Sequence, residues 1–224
     1  MEVRTGIHGF ETSRLTLRPW KTDDEAEASE LFRYASNPAV GEMCGWAPHK
    51  SAEESAQIIR DILDNPYTFA IVLKETGKPI GSIDFHPVSS DTHSFLAEDL
   101  CSASPADRGS VEMDIPREDV SALREVAVYP DHARELGYWI GEPYWGNGFA
   151  AEAGEAVKSH CFGRLGLRAV LARHFVGNPA SGRVMQKLGM RRIGRIHDVL
   201  MPLLLRNARR DEFVYAIVKA YAAA

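Results

Sequence analysis

The segment Tyr138-Trp-Ile-Gly-Glu-Pro-Tyr-Trp-Gly-Asn-Gly-Phe-Ala-Ala-Glu152 constrains this chain more than any other. A strand pattern runs into Gly146-Asn147-Gly148, and a helix pattern starts at once. Glycines there remove side-chain bulk and allow positive φ. Successive backbone N–H groups of such a turn can face one concavity. With the positive end of the following helix they form an anion site. Several aligned amides suit a diphosphate better than a single carboxylate. The pattern is not G-x-G-x-x-G, since Ala151 stands where the third glycine belongs. It is not G-x-x-x-x-G-K-[ST] either, since no Lys-Ser/Thr pair follows. Dinucleotide and nucleoside-triphosphate readings are thereby weakened. A tight strand-to-helix connection with no ligand stays open on the turn alone.

The rest of the chain alternates strands and helices, without an internal repeat, and predicts a mixed α/β domain. Arg14 to Arg18 alternates apolar and polar and ends at Pro19, a half-buried strand. Thr22-Asp-Asp-Glu25 and Ser51-Ala-Glu-Glu54 read as capping boxes. They open helices to about Tyr34 and about Leu63, the second with Ala56, Ile59 and Leu63 on one face. Asn37-Pro38 and Asn65-Pro66 read as breaks. Tyr67 to Lys74, the Thr76-Gly77 turn and Lys78 to Phe85 read as a hairpin. Arg134 to Ile140 is a strand with Glu135, Gly137 and Trp139 on one face. A helix from about Phe149 to Leu165 follows the turn, then a strand from Arg168 to Val176. Asn178 caps a further helix, with Pro179 at its first position and Gly189 as its stop. Arg191 to Ile196 and Phe213 to Val218 close the chain as strands.

Charge is unevenly spread. Residues 1–85 hold 9 Lys/Arg and 14 Asp/Glu, residues 86–133 hold 3 and 10, and residues 134–224 hold 14 and 7. The basic last part suggests a local anionic ligand, while the formal net charge of −5 disfavours direct nucleic-acid binding. Residues 87–132 are polar and turn-rich, and read as an acidic insertion with partial order. A solvated surface excursion is preferred there over a lid or substrate-facing loop.

With 224 residues, 45% of them hydrophobic and 25% charged, the chain can bury a sizeable core. Disordered, collagen-like and disulfide-scaffold classes are excluded. The apolar run Val199 to Leu205, interrupted by Pro202, falls far short of the roughly 18 residues a membrane span needs. The first 14 residues lack an apolar core, so no signal peptide is expected. Cys44, Cys101 and Cys161 fit reduced thiols of a cytoplasmic protein. The eight histidines show no ligand spacing, so no metal site is expected.

Three segments taken together resemble the GNAT superfamily of N-acetyltransferases. They are Ser13-Arg-Leu-Thr-Leu-Arg-Pro19 with its acidic helix, Glu135 to Ala153, and Asn178 to Met190 with its Leu-Gly-Met end. The likeness is greatest to the branch that holds the ribosomal-protein alanine and serine N-acetyltransferases. It implies an acyl-CoA N-acyltransferase fold, α/β with a mixed α+β sheet that is central, mostly antiparallel and flanked by helices. One domain would fill residues 1–224, with the acidic insertion at about 87–132. Acetyl-CoA would be the donor, its diphosphate cradled by the amides of Gly146, Asn147, Gly148, Phe149 and Ala150, with Trp145 also a coenzyme-binding residue. Backbone groups near Trp139 and Ile140 would pair with the pantetheine arm as an extra strand does. Asn178 and Ser181 would sit near the pantetheine and the thiol.

The chain departs from the superfamily pattern Q/R-x-x-G-x-G/A, since Pro143 takes the Q/R position. Met185 stands where many members carry a proton-donating tyrosine. An amine must lose a proton to attack the thioester, and Glu135 is the candidate general base. A backbone N–H near Ile140 is the candidate oxyanion donor, and Ser181 the candidate donor to the departing thiolate. The expected acceptor is a primary amine, with a basic protein N-terminus favoured. A small-molecule amine and a noncatalytic acyl-CoA-binding module remain open. No membrane partner is expected, and the protein is read as a monomer or homodimer.

Overall fold

A computed structural model describes residues 9–100, 116–204 and 208–219. Eight strands form one mixed sheet in the order β1-β2-β3-β4-β5-β6-β8-β7, with seven α-helices among the described residues. The chain divides into two compact units.

The first unit comprises residues 1–85, 137–157 and 201–208. It opens with β1 (Phe10–Glu11) and β2 (Leu15–Arg18), paired antiparallel. Helix α1 (Glu25–Ala35) is capped by Asp24, whose side chain accepts from the amides of Ala26 and Glu27. The expected cap at Thr22 is therefore displaced by two residues, because a carboxylate at a helix N-terminus satisfies two amides and favours the dipole. Asn37-Pro38 does not only end a helix. Asn37 caps α2 (Pro38–Cys44), with Pro38 at its first position and Gly45 left-handed at its end.

Helix α3 (Ala52–Ile58) is capped by Ser51 and continues as a single wide π-type turn, Ile59–Leu63. Glu54 receives the amide of Lys50 rather than that of the cap residue. Ile59, Ala56 and Leu63 pack with Trp20, Leu31, Ala35, Ala70 and Val72 in one apolar cluster. The hairpin is β3 (Thr68–Leu73) and β4 (Lys78–His86), antiparallel, with Gly77 left-handed at the turn.

Gly81 on β4 faces a close approach. A Cβ there would stand 2.2 Å from the Trp139 carbonyl oxygen and 3.0 Å from the Ile140 Cα. Backbone cannot yield as a flexible side chain can. Gly81→Ala is expected to cost about 1–3 kcal/mol and to lower the thermal midpoint by several degrees. Gly163→Ala, which meets nothing within 4 Å, serves as the comparison and should leave the midpoint unchanged or raise it. Equal melting of the two variants would contradict the close packing.

The second unit comprises residues 86–136, 158–200 and 209–224. The described parts of the acidic stretch are helical: α4 (Ser90–Phe95), a π-type turn Leu96–Leu100, and α5 (Arg117–Val128). Phe95, Leu96, Leu123 and Val126 lie in one core cluster with Ala133, Ala169, Leu171, Ile193, Val214 and Ala216. These residues are core rather than a solvated excursion. The apolar positions 95, 96, 123 and 126 are spread thinly among acids, so composition hides them. Residues 101–115, with Cys101, lie outside the described residues.

Strand β5 (Ala133–Ile140) starts in this unit, and Ala133–Leu136 run parallel to β6 (Ala169–Phe175) in register with Ala169–Ala172. Helix α6 (Phe149–Gly163) joins the two strands, as parallel neighbours require. Asn178 caps α7 (Pro179–Lys187), and Gly189 is left-handed beyond it. Strands β7 (Arg191–Met201) and β8 (Ala208–Val218) are longer than the pattern predicts. The added residues of β8, Ala208 to Glu212, are mostly charged, and in β7 the exposed pair His197 and Asp198 separates buried Val199 and Met201 from the apolar positions before them. Strand β8 runs antiparallel to β6.

Candidate acetyl-coenzyme site

In the first unit, β5 leaves the sheet through a short 3₁₀ turn at Glu142–Tyr144 and enters the glycine turn. Gly146 and Gly148 both have positive φ, 77° and 79°, the region where only glycine is unstrained. Asn147 stands between them, and its side-chain amide donates to the carbonyls of Tyr144 (3.1 Å) and Trp145 (3.2 Å), closing the loop on itself. Trp145 is exposed, but its indole N–H is tied to the Ile140 carbonyl at 2.6 Å. The first helical hydrogen bond runs from the Glu152 amide to the Gly148 carbonyl at 3.0 Å. The amides of Phe149 and Ala150 therefore belong to the helix's first turn, which has no intrahelical partner. Residues 145–147 are exposed and Phe149 is buried. The turn presents backbone to solvent while its aromatic anchor faces inward.

The turn is braced from the bend between β1 and β2. Arg14 donates through Nε to Glu152 at 2.7 Å and through Nη1 to the Asn147 carbonyl at 3.1 Å. Its guanidinium lies 4.5 Å over the Phe149 ring. The Thr12 hydroxyl donates to the other Glu152 oxygen at 2.6 Å. Burial pushes the Glu152 carboxyl up, but Thr12 and Arg14 outweigh it and hold it below the ordinary value. The sequence alone puts Arg14 in a strand and in the resembling segment Ser13 to Pro19, without a contact to the turn.

Trp139 and Ile140 lie on β5 beyond Leu136, where the register with β6 ends. Gly137 is the informative neighbour. A Cβ on it would come within 2.8 Å of both carboxylate oxygens of Asp84, on β4. Asp84 thus fills the space over the middle of β5 that a side chain at 137 would take, and it is only partly buried. Sequence reasoning missed it. The available signal is one acid in the otherwise uncharged run Pro79 to Phe85.

In the second unit, Glu135 is 4% exposed and fully engaged. One carboxylate oxygen accepts from Arg173 Nε at 2.8 Å, the other from the Ser89 amide (3.1 Å) and hydroxyl (2.9 Å). Burial pushes its carboxyl up, but Arg173, His86 and Ser89 together hold it below the usual carboxylate range. Arg173 also meets Glu212 at 2.9 Å and Asp91 at 3.6 Å. Glu212 is displaced upward, first by burial and then by its acidic neighbours against the pull of Arg173. These are the surroundings of a structural ion pair. A general base needs an accessible oxygen and a pKa nearer the working pH.

Asn178 and Ser181 stand at the start of α7, where the Asn178 side chain accepts from the Ser181 amide at 3.2 Å. Met185 is buried in the same helix, so no proton donor replaces the expected tyrosine there. Cys161 is buried, and burial pushes its thiol up to about 12, so it packs and does not act as a nucleophile. Among the described residues no group of three His, Cys, Asp or Glu side chains could hold a metal, and no helix is long and apolar enough to cross a membrane.

The sequence pattern of the acetyltransferase (GNAT) domain matches residues 14–191. The chain belongs to this family. It is an acetyl-CoA-dependent N-acetyltransferase. The protein of Bacillus subtilis named uncharacterized N-acetyltransferase YoaA is 30% identical over 212 residues, covering 94% of this chain and 96% of its own. The fold is shared with the ribosomal-protein-S5-alanine acetyltransferase of Vibrio fischeri at a TM-score of 0.60 and 18% identity, covering 94% of this chain and 96% of that one. It is also shared with the microcin C7 self-immunity acetyltransferase MccE, solved with acetyl-CoA and AMP, at a TM-score of 0.65 and 16% identity. That likeness covers 97% of this chain and all of MccE.

Proposed function

We propose that this acetyltransferase holds the diphosphate of acetyl-CoA on the backbone amides of Gly146–Ala150 and transfers the acetyl group directly to a protein N-terminal amine. The observation that carries the reading is the pair of left-handed glycines at the N-terminus of α6. The pantetheine arm would run along the backbone of Trp139 and Ile140, past the end of the β5–β6 register. Residues 14–191 span parts of both units, which supports reading the chain as one acetyltransferase domain.

The amine nitrogen attacks the thioester carbon, the carbonyl oxygen becomes an oxyanion near the Ile140 backbone, and the C–S bond then breaks. We assign the proton leaving the amine to Asp84, beside Gly137, rather than to the ion-paired Glu135. The resemblance gives the departing thiolate to the Ser181 hydroxyl, and Ser181→Ala tests that role against protonation by water.

Two relatives in fold carry different names, a ribosomal-protein-S5-alanine acetyltransferase and a microcin C7 self-immunity acetyltransferase. The favoured acceptor here is a basic protein N-terminus, drawn by the 10 acidic residues against 3 basic ones in residues 86–133. Charge reversal of Glu98, Asp99, Glu112, Glu118 and Asp119 should raise the KM for a basic peptide; of these, Glu98 and Asp119 have described side chains, whereas those of Asp99, Glu112 and Glu118 fall outside the description. An α-amine has a pKa of about 8 and a lysine amine about 10.4. The account therefore expects kcat/KM with the true acceptor to rise with pH and level off near pH 8. A rise that continues past pH 9.5, or turnover only of small polyamines in a panel read by thiol release, would reject the N-terminal acceptor.

A further inference from the structure

We propose that Arg14 is itself a coenzyme-binding residue, donating from the bend before β2 to the diphosphate held by the glycine turn. The proposal rests on the reading of that turn given above. A guanidinium carries five N–H donors in a fixed fork. Here Nε and Nη2 are spent on Glu152, each at 2.7 Å, and Nη1 gives one hydrogen to the Asn147 carbonyl at 3.1 Å. One hydrogen on each terminal nitrogen is left over by these contacts. Nη2 stands 3.8 Å from where a Cβ of Gly148 would be, so the spare donors lie beside the second left-handed glycine. The side chain is 47% exposed, which lets a ligand reach it.

Three features fix the fork in place before any ligand arrives. Glu152 takes two of its nitrogens, the Asn147 carbonyl takes a third, and the Phe149 ring stacks beneath it. Glu152 also receives the Thr12 hydroxyl and the Arg14 amide, so neutral donors share its negative charge. The guanidinium keeps positive charge to offer a phosphate. Pro143 offers neither a side-chain donor nor a backbone N–H on the other side of the turn.

Binding of CoA, dephospho-CoA and pantetheine to wild type, Arg14→Gln, Arg14→Lys and Glu152→Gln, measured by calorimetry, tests this. For Arg14→Gln the Kd of CoA and of dephospho-CoA should both rise about 10- to 100-fold, the worth of a charge-assisted pair. Pantetheine, which lacks phosphate, should bind it as it binds wild type, which also reports an intact fold. Arg14→Lys keeps the charge without the fork and should fall between. Glu152→Gln loosens the fork but also removes an anion beside the diphosphate, so it should weaken CoA binding less than Arg14→Gln does. Unchanged CoA binding by Arg14→Gln overturns the proposal. So does an equal loss in Glu152→Gln, which would make Arg14 a brace only, and so does a loss seen with CoA but not with dephospho-CoA. Wild type binding CoA no more tightly than pantetheine would instead end the reading of the turn itself.

Discussion

Asp84→Asn is expected to lower kcat/KM for an N-terminal amine about 10²- to 10⁴-fold near neutral pH, the usual worth of a positioned base. Asparagine keeps the shape and removes the proton acceptor. CoA binding should be unchanged, because the glycine turn and Arg14 lie elsewhere on the chain. The deficit should shrink as pH rises past the amine's own pKa of about 8, since a neutral amine no longer needs the carboxylate. A variant that keeps half its activity at pH 7 would remove Asp84 from the mechanism. A deficit that stays constant to pH 9.5 would leave it a structural role only. The geometry behind the expectation is narrow: Gly137 is the residue on β5 whose missing side chain admits both Asp84 oxygens.

Glu135→Gln should behave in the opposite way, with a large effect on stability and a small one on chemistry. The change takes the negative charge from Arg173 inside a buried group that also holds Glu212. Breaking one partner of a buried pair costs about 3 kcal/mol or more. For a chain of this size that lowers the thermal midpoint by roughly 6–12 °C. The sign with pH follows from the direction of the shift. Glu135 titrates below its ordinary value in the folded protein, so its contribution is complete above the ordinary carboxylate range and is lost as pH falls through the lowered folded value. Wild type and variant should therefore converge in acid. Below the melting range kcat should stay within about tenfold of wild type, less than a lost base would cost. A loss beyond 10²-fold with an unchanged midpoint and intact CoA binding would return the base to Glu135.

What the sequence reveals and what it hides divide along a physical line. Features written in neighbouring residues were legible. The hairpin around Gly77, the cap and stop of α7 at Asn178 and Gly189, and the glycine turn itself all follow from local backbone chemistry. Asn37-Pro38 carries the same signature as Asn178-Pro179 but reads as a break, because a seven-residue helix has too few turns to show periodicity. The core role of α4 and α5 was hidden by the acids around them.

The site divides likewise. The turn stands in one continuous segment, so its left-handed glycines and the helix after them can be read from residues 138–152 alone. The Arg14–Glu152 pair joins residues 138 positions apart, and Asp84 reaches Gly137 only through a fold. No local pattern contains such pairs. Glu135 was attractive as a base because it opens the strand leading to the turn. The partners that occupy it, Ser89 and Arg173, are 46 and 38 positions away.

A structure of the protein with CoA bound is the most direct measurement of how the glycine turn is used. The prediction is that diphosphate oxygens lie about 3 Å from the backbone nitrogens of residues 146–150, hydrogen-bonding distance. A coenzyme whose diphosphate is held by other groups, with these amides facing solvent, would contradict it.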